Sequence, residues 1–492
     1  MPRPNILFVF ADQLRYSALG CSGNEIVQTP NFDRMAAEGV VFSNAFSGCP
    51  ICSPYRGQVL TGRYSHINGV ICNEYRLFDD QTTIAHMLKN EGYRTAYIGK
   101  WHLGHPPYEE HKRYGFDDLY AYNCSHSYYR ISYYHNEAGP FEMEDFAPRV
   151  ETQLTLDHMQ KHLQESPDQP FCIFTSWGPP HWNGGGGDNA YNQYPQEYNI
   201  YDPAEVDLPG NVPVQFRDFA RREIADYYGM VTSIDACMKD ILDTLDESGL
   251  AENTIVCFSS DHGDHLSSHG YGKPGDGWMH HSLTGSKATP HDESVHIPFI
   301  MRYPTRVEGN RRADTMLNSV DVLPTLLGLC DVPVPDDVQG KDLSHAALGV
   351  SGEEPDSVYL QILGPGWPAR RKWLGLWRGI RAHQYTYARW KDRGGMRVLY
   401  DLKEDPLEMR NLIGNPKYAE IEQQMEERLQ RWIKETNDPF DTGRRLPITE
   451  MLDLGQAFST KRWHQNAPAE YVKAIKENHL NFRTGERADG EA

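Results

Sequence analysis

The stretch Gly48-Cys49-Pro50-Ile51-Cys52-Ser53-Pro54-Tyr55-Arg56 sets two cysteines in a C-x-x-C pair, with a proline and an arginine following the second in alternate positions. A thiolate there is a nucleophile toward carbon, and C-x-x-C is also a redox motif or half of a zinc site. Zinc would need a second such pair, and Cys21, Cys72, Cys124, Cys172, Cys237, Cys257 and Cys330 supply none. A buried structural thiol is the commonest fate of a lone cysteine. Charged residues also gather at the ends of apolar runs: Asp12-Gln13 after I-L-F-V-F-A, Lys100-Trp101-His102 after T-A-Y-I-G, and Asp261-His262 after T-I-V-C-F-S-S. Each has an ordinary alternative. Asp12 could cap a turn, Lys100 could be a solvated surface lysine, and His102 a satisfied loop histidine.

The apolar run 6–11 reads as a central parallel strand of an α/β sheet, delivering polar residues at its carboxyl end, and 254–260 repeats that logic. Residues 29–39 predict a capped amphipathic helix stopped by Gly39. A second strand at 40–46 leads into the Cys52 loop, with a helix behind it from about 56–60. Cys52 then lies at or near a helix N-terminus, where unpaired N–H groups and the dipole favour an anion. Helix is expected at 82–90, strand at 93–99, helix at 149–165, and a buried strand at 170–177 ending in Gly178-Pro179-Pro180-His181-Trp182. Between them, 105–146 is rich in Tyr, His and charge without clear periodicity. It reads as an insertion over the site, its aromatics suited to sugars, or as a decorated surface loop. The glycine run 184–187 opens a long loop to 213, functional or mobile by its length. Ile224, Tyr227, Tyr228, Val231, Ile234, Met238, Ile241, Leu242 and Leu245 follow one helical face, and a helix opening at 321–327 closes the first domain. Strands at 373–380, 384–390 and 398–402 and a helix at 417–436 follow. The tail beyond 438 is expected to wrap the first domain or to make an oligomer contact.

A chain of 492 residues is long for one core, so two domains are expected, at 1–350 and 351–492. The formal charge of −20 argues against nucleic acid as a partner, while saying little about a small anion in a cationic cleft. Nine cysteines without dense spacing suit mostly reduced thiols. Met1-Pro2-Arg3-Pro4-Asn5 runs straight into the first strand. Taken as it stands this suggests a cytoplasmic protein, or a periplasmic or secreted one had a signal peptide been removed. No membrane span is in sight.

Two stretches together resemble the signatures of the type I sulfatases, in the alkaline phosphatase superfamily. One is Cys52, Pro54 and Arg56 followed by Val59-Leu60-Thr61-Gly62-Arg63; the other is Gly92-Tyr93-Arg94-Thr95-Ala96-Tyr97-Ile98-Gly99-Lys100-Trp101-His102. Two signatures in the right order are far more specific than either alone. Asp405-Pro406-Leu407-Glu408-Met409-Arg410-Asn411-Leu412 resembles the family's C-terminal subdomain, so the likeness runs from about residue 5 to 436. It implies an α/β fold, a large mixed and mostly parallel sheet sandwiched by helices, with a smaller C-terminal α+β subdomain. It also implies that a formylglycine-generating enzyme converts Cys52 to formylglycine. The hydrate of that aldehyde has one hydroxyl to attack sulfur and another to expel sulfate.

The resemblance further implies roles at matching positions. Arg56 would orient residue 52 and balance its charge. Lys100, His181 and Lys287 would offset charge on the sulfate, with Lys273 competing for the place of Lys287, and His181 or Lys287 would protonate the departing alcohol. His102 would take a proton from residue 52, and Asn73 would reach the substrate. Asp12, Gln13, Asp261 and His262 would hold one divalent ion. Calcium is the family's usual ion and suits oxygen ligands, while a histidine ligand shifts the preference toward manganese. His280 and His281 are either substrate contacts or loop. Three positions depart from the common pattern: Gln13 where many members have a second Asp, His262 where many have Asn, and Tyr55 where a small residue is usual. The last bears on how the maturing enzyme accepts the site. The expected activity is hydrolysis of the sulfate ester of a carbohydrate. The alternatives are a phosphonate monoester or phosphodiester hydrolase on the same apparatus and a non-catalytic carbohydrate-binding relative. A two-zinc phosphatase would want Ser or Thr at position 52.

Overall fold

The first apolar run lies at the centre of the molecule. In the computed structural model β1 (Asn5–Asp12) is buried at every residue and pairs in parallel with β7 (Phe171–Pro180) on one side and β8 (Thr254–Ser260) on the other. Ten strands form one sheet. Its order is β10 (Arg311–Asn318), β2 (Val40–Phe46), β9 (Phe299–Arg302), β8, β1, β7, β3 (Arg94–Lys100), β4 (Asp118–Tyr122), β5 (Ile131–His135) and β6 (Ala138–Met143). The run from β8 to β4 is parallel, as is the β10–β2 pair; β9 is antiparallel to both neighbours, and β5 and β6 continue the far edge antiparallel. The structure describes residues 3–73, 75–78, 80–182, 193–270, 287–363, 376–391 and 394–442. The glycine run 184–187, Lys273, His280, His281, the first residues of the strand expected at 373–380 and the tail past 442 lie outside them.

Alternation along β1 sorts its side chains onto two faces. Ile6, Phe8 and Phe10 meet residues of α2 (Cys52–Thr61), α3 (Ile84–Asn90) and α6 (Val322–Leu329). Leu7, Val9 and Ala11 meet α1 (Pro30–Ala37), α4 (Ala147–Glu165) and the 31-residue α5 (Arg217–Glu247). With both faces covered, the central strands have no solvent side, which is why they read as unbroken apolar runs. A second, antiparallel sheet has the order β11 (Val358–Ile362), β12 (Trp377–Arg381), β13 (Tyr385–Trp390) and β14 (Arg397–Asp401), backed by α7 (Ala419–Glu435).

Some local expectations change. Thr29 does not cap α1: the Asp235 carboxylate of α5 accepts from the N–H groups of Asn31 and Phe32. A charged acceptor from a neighbouring helix has displaced the local hydroxyl, as the positive end of the dipole favours. The stretch 105–146 is more than a surface loop, since β4, β5 and β6 come from it. Strands β10 and β11 were not foreseen either. Among the described residues no helix is long and apolar enough to cross a membrane.

Candidate active site

The carboxyl ends of β1, β3, β7 and β8 point at one place, and the N-terminus of α2 enters it from the side. Cys52 is the first residue of that helix and is 1% exposed. The side-chain oxygen of Asn73 accepts from the Ser53 N–H at 3.1 Å, so Asn73 tends the start of α2. Around the Cys52 sulfur lie Asp12 Oδ1 at 3.6 Å, His262 Nε2 at 3.3 Å and Lys287 Nζ at 3.3 Å. Asp12, Cys52, Asp261 and His262 each offer a donor atom within 4.8 Å of the others.

Three cations, Lys100, Lys287 and Arg56, brace this cluster. The Lys100 ammonium donates to Asp12 Oδ2 at 2.5 Å, both groups fully buried. Lys287 Nζ donates to Gln13 Oε1 at 3.1 Å and lies 3.0 Å from Nε2 of both His181 and His262. Beneath them the Arg56 guanidinium reaches Asp12 Oδ2 at 3.2 Å and Asp261 Oδ2 at 3.3 Å, and donates to Tyr97, Ser176 and the Lys100 carbonyl. Arg56 therefore positions the two carboxylates. Tyr55 points the other way, into the core against Phe10, with its hydroxyl 3.3 Å from Ser259 Oγ. A bulky residue fits there because that side of α2 faces the sheet.

Both imidazoles at Lys287 have a fixed tautomer. His181 Nδ1 faces the Trp182 carbonyl at 2.7 Å and His262 Nδ1 faces the Gly263 carbonyl at 2.9 Å. A carbonyl only accepts, so Nδ1 carries the proton and each Nε2 turns its lone pair into the site. His102, at φ 54°, closes another side and its carbonyl accepts from Ser53 Oγ at 2.6 Å.

The charges explain the proton affinities. Burial and the adjacent thiol oppose ionisation of Asp12, yet Lys100, His181 and Lys287 hold its carboxyl well below the usual range. Burial and the nearby Asp12 push Asp261 up to about 6. Burial would favour a neutral Cys52 thiol, but Lys287, Lys100 and His262 bring it well below the ordinary thiol value. Burial depresses His181 strongly, with Lys287 and His126 adding to it. Burial also disfavours charge on His102, yet the thiols of Cys124 and Cys52 push it up to about 9. Such an array of buried, mutually tuned groups in one place is a mark of a reactive site.

The structure thus gathers Asp12, Gln13, Cys52, Arg56, Lys100, His102, His181, Asp261, His262 and Lys287, with Asn73 at the helix start. Sequence reading missed several neighbours. Cys124 adjoins His102 and Lys100; His126 stacks on His181 with ring centroids 4.1 Å apart; Tyr128 donates to the His181 carbonyl at 2.7 Å. All three come from the aperiodic stretch, where only an abundance of His and Tyr hinted at a role. Tyr227, read as one more residue of an apolar helix face, donates its hydroxyl to the Gln13 carbonyl at 2.7 Å.

A mostly parallel sheet that brings buried cations around a cysteine at a helix N-terminus suits the binding and cleavage of an anionic ester. Comparison with known proteins makes this specific. The model of the sulfatase family matches residues 4–332, and that of the C-terminal region of N-sulphoglucosamine sulphohydrolase matches 285–435. An ulvan-active sulfatase of Formosa agariphila is 33% identical over 89% of this chain and 82% of its own. An endo-4-O-sulfatase of Bacteroides thetaiotaomicron is 28% identical over 89% of this chain and 93% of its own. A crystal structure from Bacteroides fragilis, named for the sulfatase YidJ, superposes with a TM-score of 0.77 at 28% identity, covering 89% of this chain and 97% of the other. The chain belongs to the sulfatase family and is a sulfuric ester hydrolase.

That family works with a divalent metal and a formylglycine made from the signature cysteine. The donor chemistry here fits a metal: two carboxylates, an amide oxygen and an imidazole lone pair converge where the Lys287 ammonium, itself a cation, already finds favourable partners.

Proposed function

We propose that this enzyme removes sulfate from a sulfated carbohydrate, using residue 52 in its formylglycine form as the attacking group. The observation that carries this is the buried ring of Lys100, Lys287, His102 and His181 around the first residue of α2, beside Asp12 and Asp261. Asp12, Gln13, Asp261 and His262 would hold the divalent ion, with calcium first and manganese second. When bound, such an ion polarises the sulfate oxygens and lowers the pKa of the attacking hydroxyl.

The protein's own groups do the rest. Lys100 and the α2 N-terminus offset negative charge on the sulfate oxygens. Lys287 Nζ delivers a proton to the departing alcohol oxygen, and His181 Nε2, which accepts a hydrogen bond from that ammonium at 3.0 Å, holds it in place. His102, in contact with residue 52, is placed to take the proton from its second hydroxyl once the Cys52 thiol that helps hold His102 protonated has become the aldehyde hydrate. Asn73, whose side-chain oxygen is held by the Ser53 N–H, is assigned a substrate contact beside residue 52. The carbohydrate preference is supported by the names of the relatives, which act on ulvan or remove 4-O-sulfate, and by the aromatic 105–146 stretch that brings His126 and Tyr128 beside His181. We also propose that residues 1–350 form the catalytic unit and 351–492 a supporting one.

The test has two parts. Protein co-produced with a formylglycine-generating enzyme should yield a Cys52 peptide lighter by roughly 18 Da, the thiol-to-aldehyde change. That protein should then release sulfate from sulfated saccharides faster than it cleaves aryl sulfates or phosphonate and phosphate diesters. Sulfate release that is equally fast in protein whose Cys52 is wholly unmodified would sink the nucleophile assignment. Preferred cleavage of phosphonate monoesters would replace the substrate class.

A further inference from the structure

We infer that Asp264 is a positioning residue that makes Gln13 present its amide oxygen to the cation site, so that positions 13 and 264 act as a matched pair. This rests on the reading of Asp12, Gln13, Asp261 and His262 as the metal-holding set. The backbone of Gln13 is pinned in the left-handed region at φ 70°. Its N–H donates to Asp261 Oδ1 at 2.9 Å, and its carbonyl accepts from the Tyr227 hydroxyl at 2.7 Å. The buried side chain is then left with one choice, which end of its amide faces inward. A flexible amide has no intrinsic preference; its partners decide.

Those partners leave one orientation. Nε2 donates to Asp264 Oδ2 at 2.5 Å, and Oε1 accepts from Lys287 Nζ at 3.1 Å. A carboxylate only accepts and an ammonium only donates, so the opposite orientation would set donor against donor and acceptor against acceptor. The second oxygen of Asp264 is also committed, since Oδ1 accepts from the Leu266 N–H at 3.0 Å. An asparagine at 264 would keep its oxygen on Leu266 and turn its NH2 toward Gln13. The Gln13 amide would then reverse to offer its oxygen to that NH2, and its own NH2 would face the cation. Asp264 is fully buried, so water is not at hand to relieve the mismatch.

The converse change has the converse effect. A glutamate at 13, isosteric with glutamine, would press a carboxylate against that of Asp264. Paired with an asparagine at 264, the same glutamate would receive a hydrogen bond from the new NH2 and still turn an oxygen to the cation. The pair therefore tolerates two arrangements, Gln with Asp or Glu with Asn, and rejects the mixtures.

The experiment is calorimetric titration of calcium chloride or manganese chloride into full-length wild type, Asp264→Asn, Gln13→Glu and the double variant, with the metal-free melting temperature of each. Asp264→Asn should weaken ion binding roughly 10–100-fold, the usual effect of losing an orienting partner behind a ligand, and Gln13→Glu, which sets two buried carboxylates against each other, should bind more weakly than the double variant. The double variant should recover to within about threefold of wild type, showing that the two effects are coupled and not additive. Wild-type affinity in Asp264→Asn, or a double variant no better than its parents, overturns the pairing alone. A wild-type protein that binds neither ion overturns the pairing together with the metal-holding reading. If Gln13→Glu does not fold, a folded and ion-binding double variant still demonstrates the pair, and a double variant that also fails to fold refutes it.

Discussion

Lys100 and Asp12 are both fully buried, and each offsets part of the cost of burying the other's charge. The lysine's charge is paired with a carboxylate that also faces Cys52, and in the proposed reaction it would shift toward sulfate oxygens as negative charge grows on them. Lys100→Met keeps the bulk and removes the charge; Arg56 still reaches Asp12. Turnover of a sulfate ester should fall by roughly 10²–10³ in kcat, the typical loss when one preorganised electrostatic donor is removed, with a much smaller change in KM. Steady-state kinetics on matured protein would check this, and an unchanged kcat would exclude Lys100 from the reacting centre. At this scale the two signatures made Cys52, Arg56, Lys100 and His102 legible, because their spacing is local. Cys124, Tyr227 and Asp264 were not, since what gives each its role is a partner brought from elsewhere by the fold.

Among the elements, α4 places a carboxyl where the sheet has no room for charge. Glu151 is fully buried, its Oε1 accepts from the Tyr133 hydroxyl at 3.0 Å, and it lies beside Gly99, one residue before Lys100. Burial raises it to about 8, with bonds from Tyr133 and Tyr122 opposing the rise. A free carboxyl of this kind releases its proton near 4.5. Between those values the unfolded chain has lost a proton that the folded one keeps, so stability declines as pH rises through that window and levels off above it. Glu151→Gln removes the ionisation and keeps an oxygen for Tyr133. The variant should match wild type in unfolding free energy near pH 4.5 and exceed it increasingly toward pH 8, by roughly 2–4 kcal/mol at most, with its melting temperature rising in step. Parallel melting curves at all pH values would show that Glu151 ionises freely. Element existence was readable where burial on two faces wrote an apolar run, as in β1, β7 and β8. It was unreadable in β4–β6, where an edge position lets polar and aromatic residues alternate irregularly; β6 is mostly exposed.

Across the whole molecule, the small sheet buttresses both loops that carry the reactive groups. The Gln361 N–H donates to the Gly48 carbonyl at 2.8 Å, four residues before Cys52, and the Trp377 indole donates to the Ala288 carbonyl at 3.1 Å, next to Lys287. Asp438 locks this arrangement, taking bonds from Arg378 at 2.7 Å and Tyr359 at 2.9 Å, with His66 of the first sheet's layer at 3.4 Å. Asp438→Ala would leave a buried guanidinium without its carboxylate and should cost about 3–5 kcal/mol, read as a shift in denaturation midpoint; a shift near zero would mean that the junction adds little. Sequence foretold a second region with strands and a helix. It gave no sign that this region presses on the nucleophile loop, because Gln361 and Trp377 are unremarkable members of their own strands.

That Cys52 is 1% exposed gives the chain a deadline. Once α2 has packed on the sheet and the C-terminal strands have closed behind Gly48, no modifying enzyme can reach the thiol. On the proposed formylglycine chemistry, conversion has to precede that closure, so the active fraction of a preparation would be set by a race between modification and folding. Fast folding, ordinarily an advantage, here works against the yield of working enzyme.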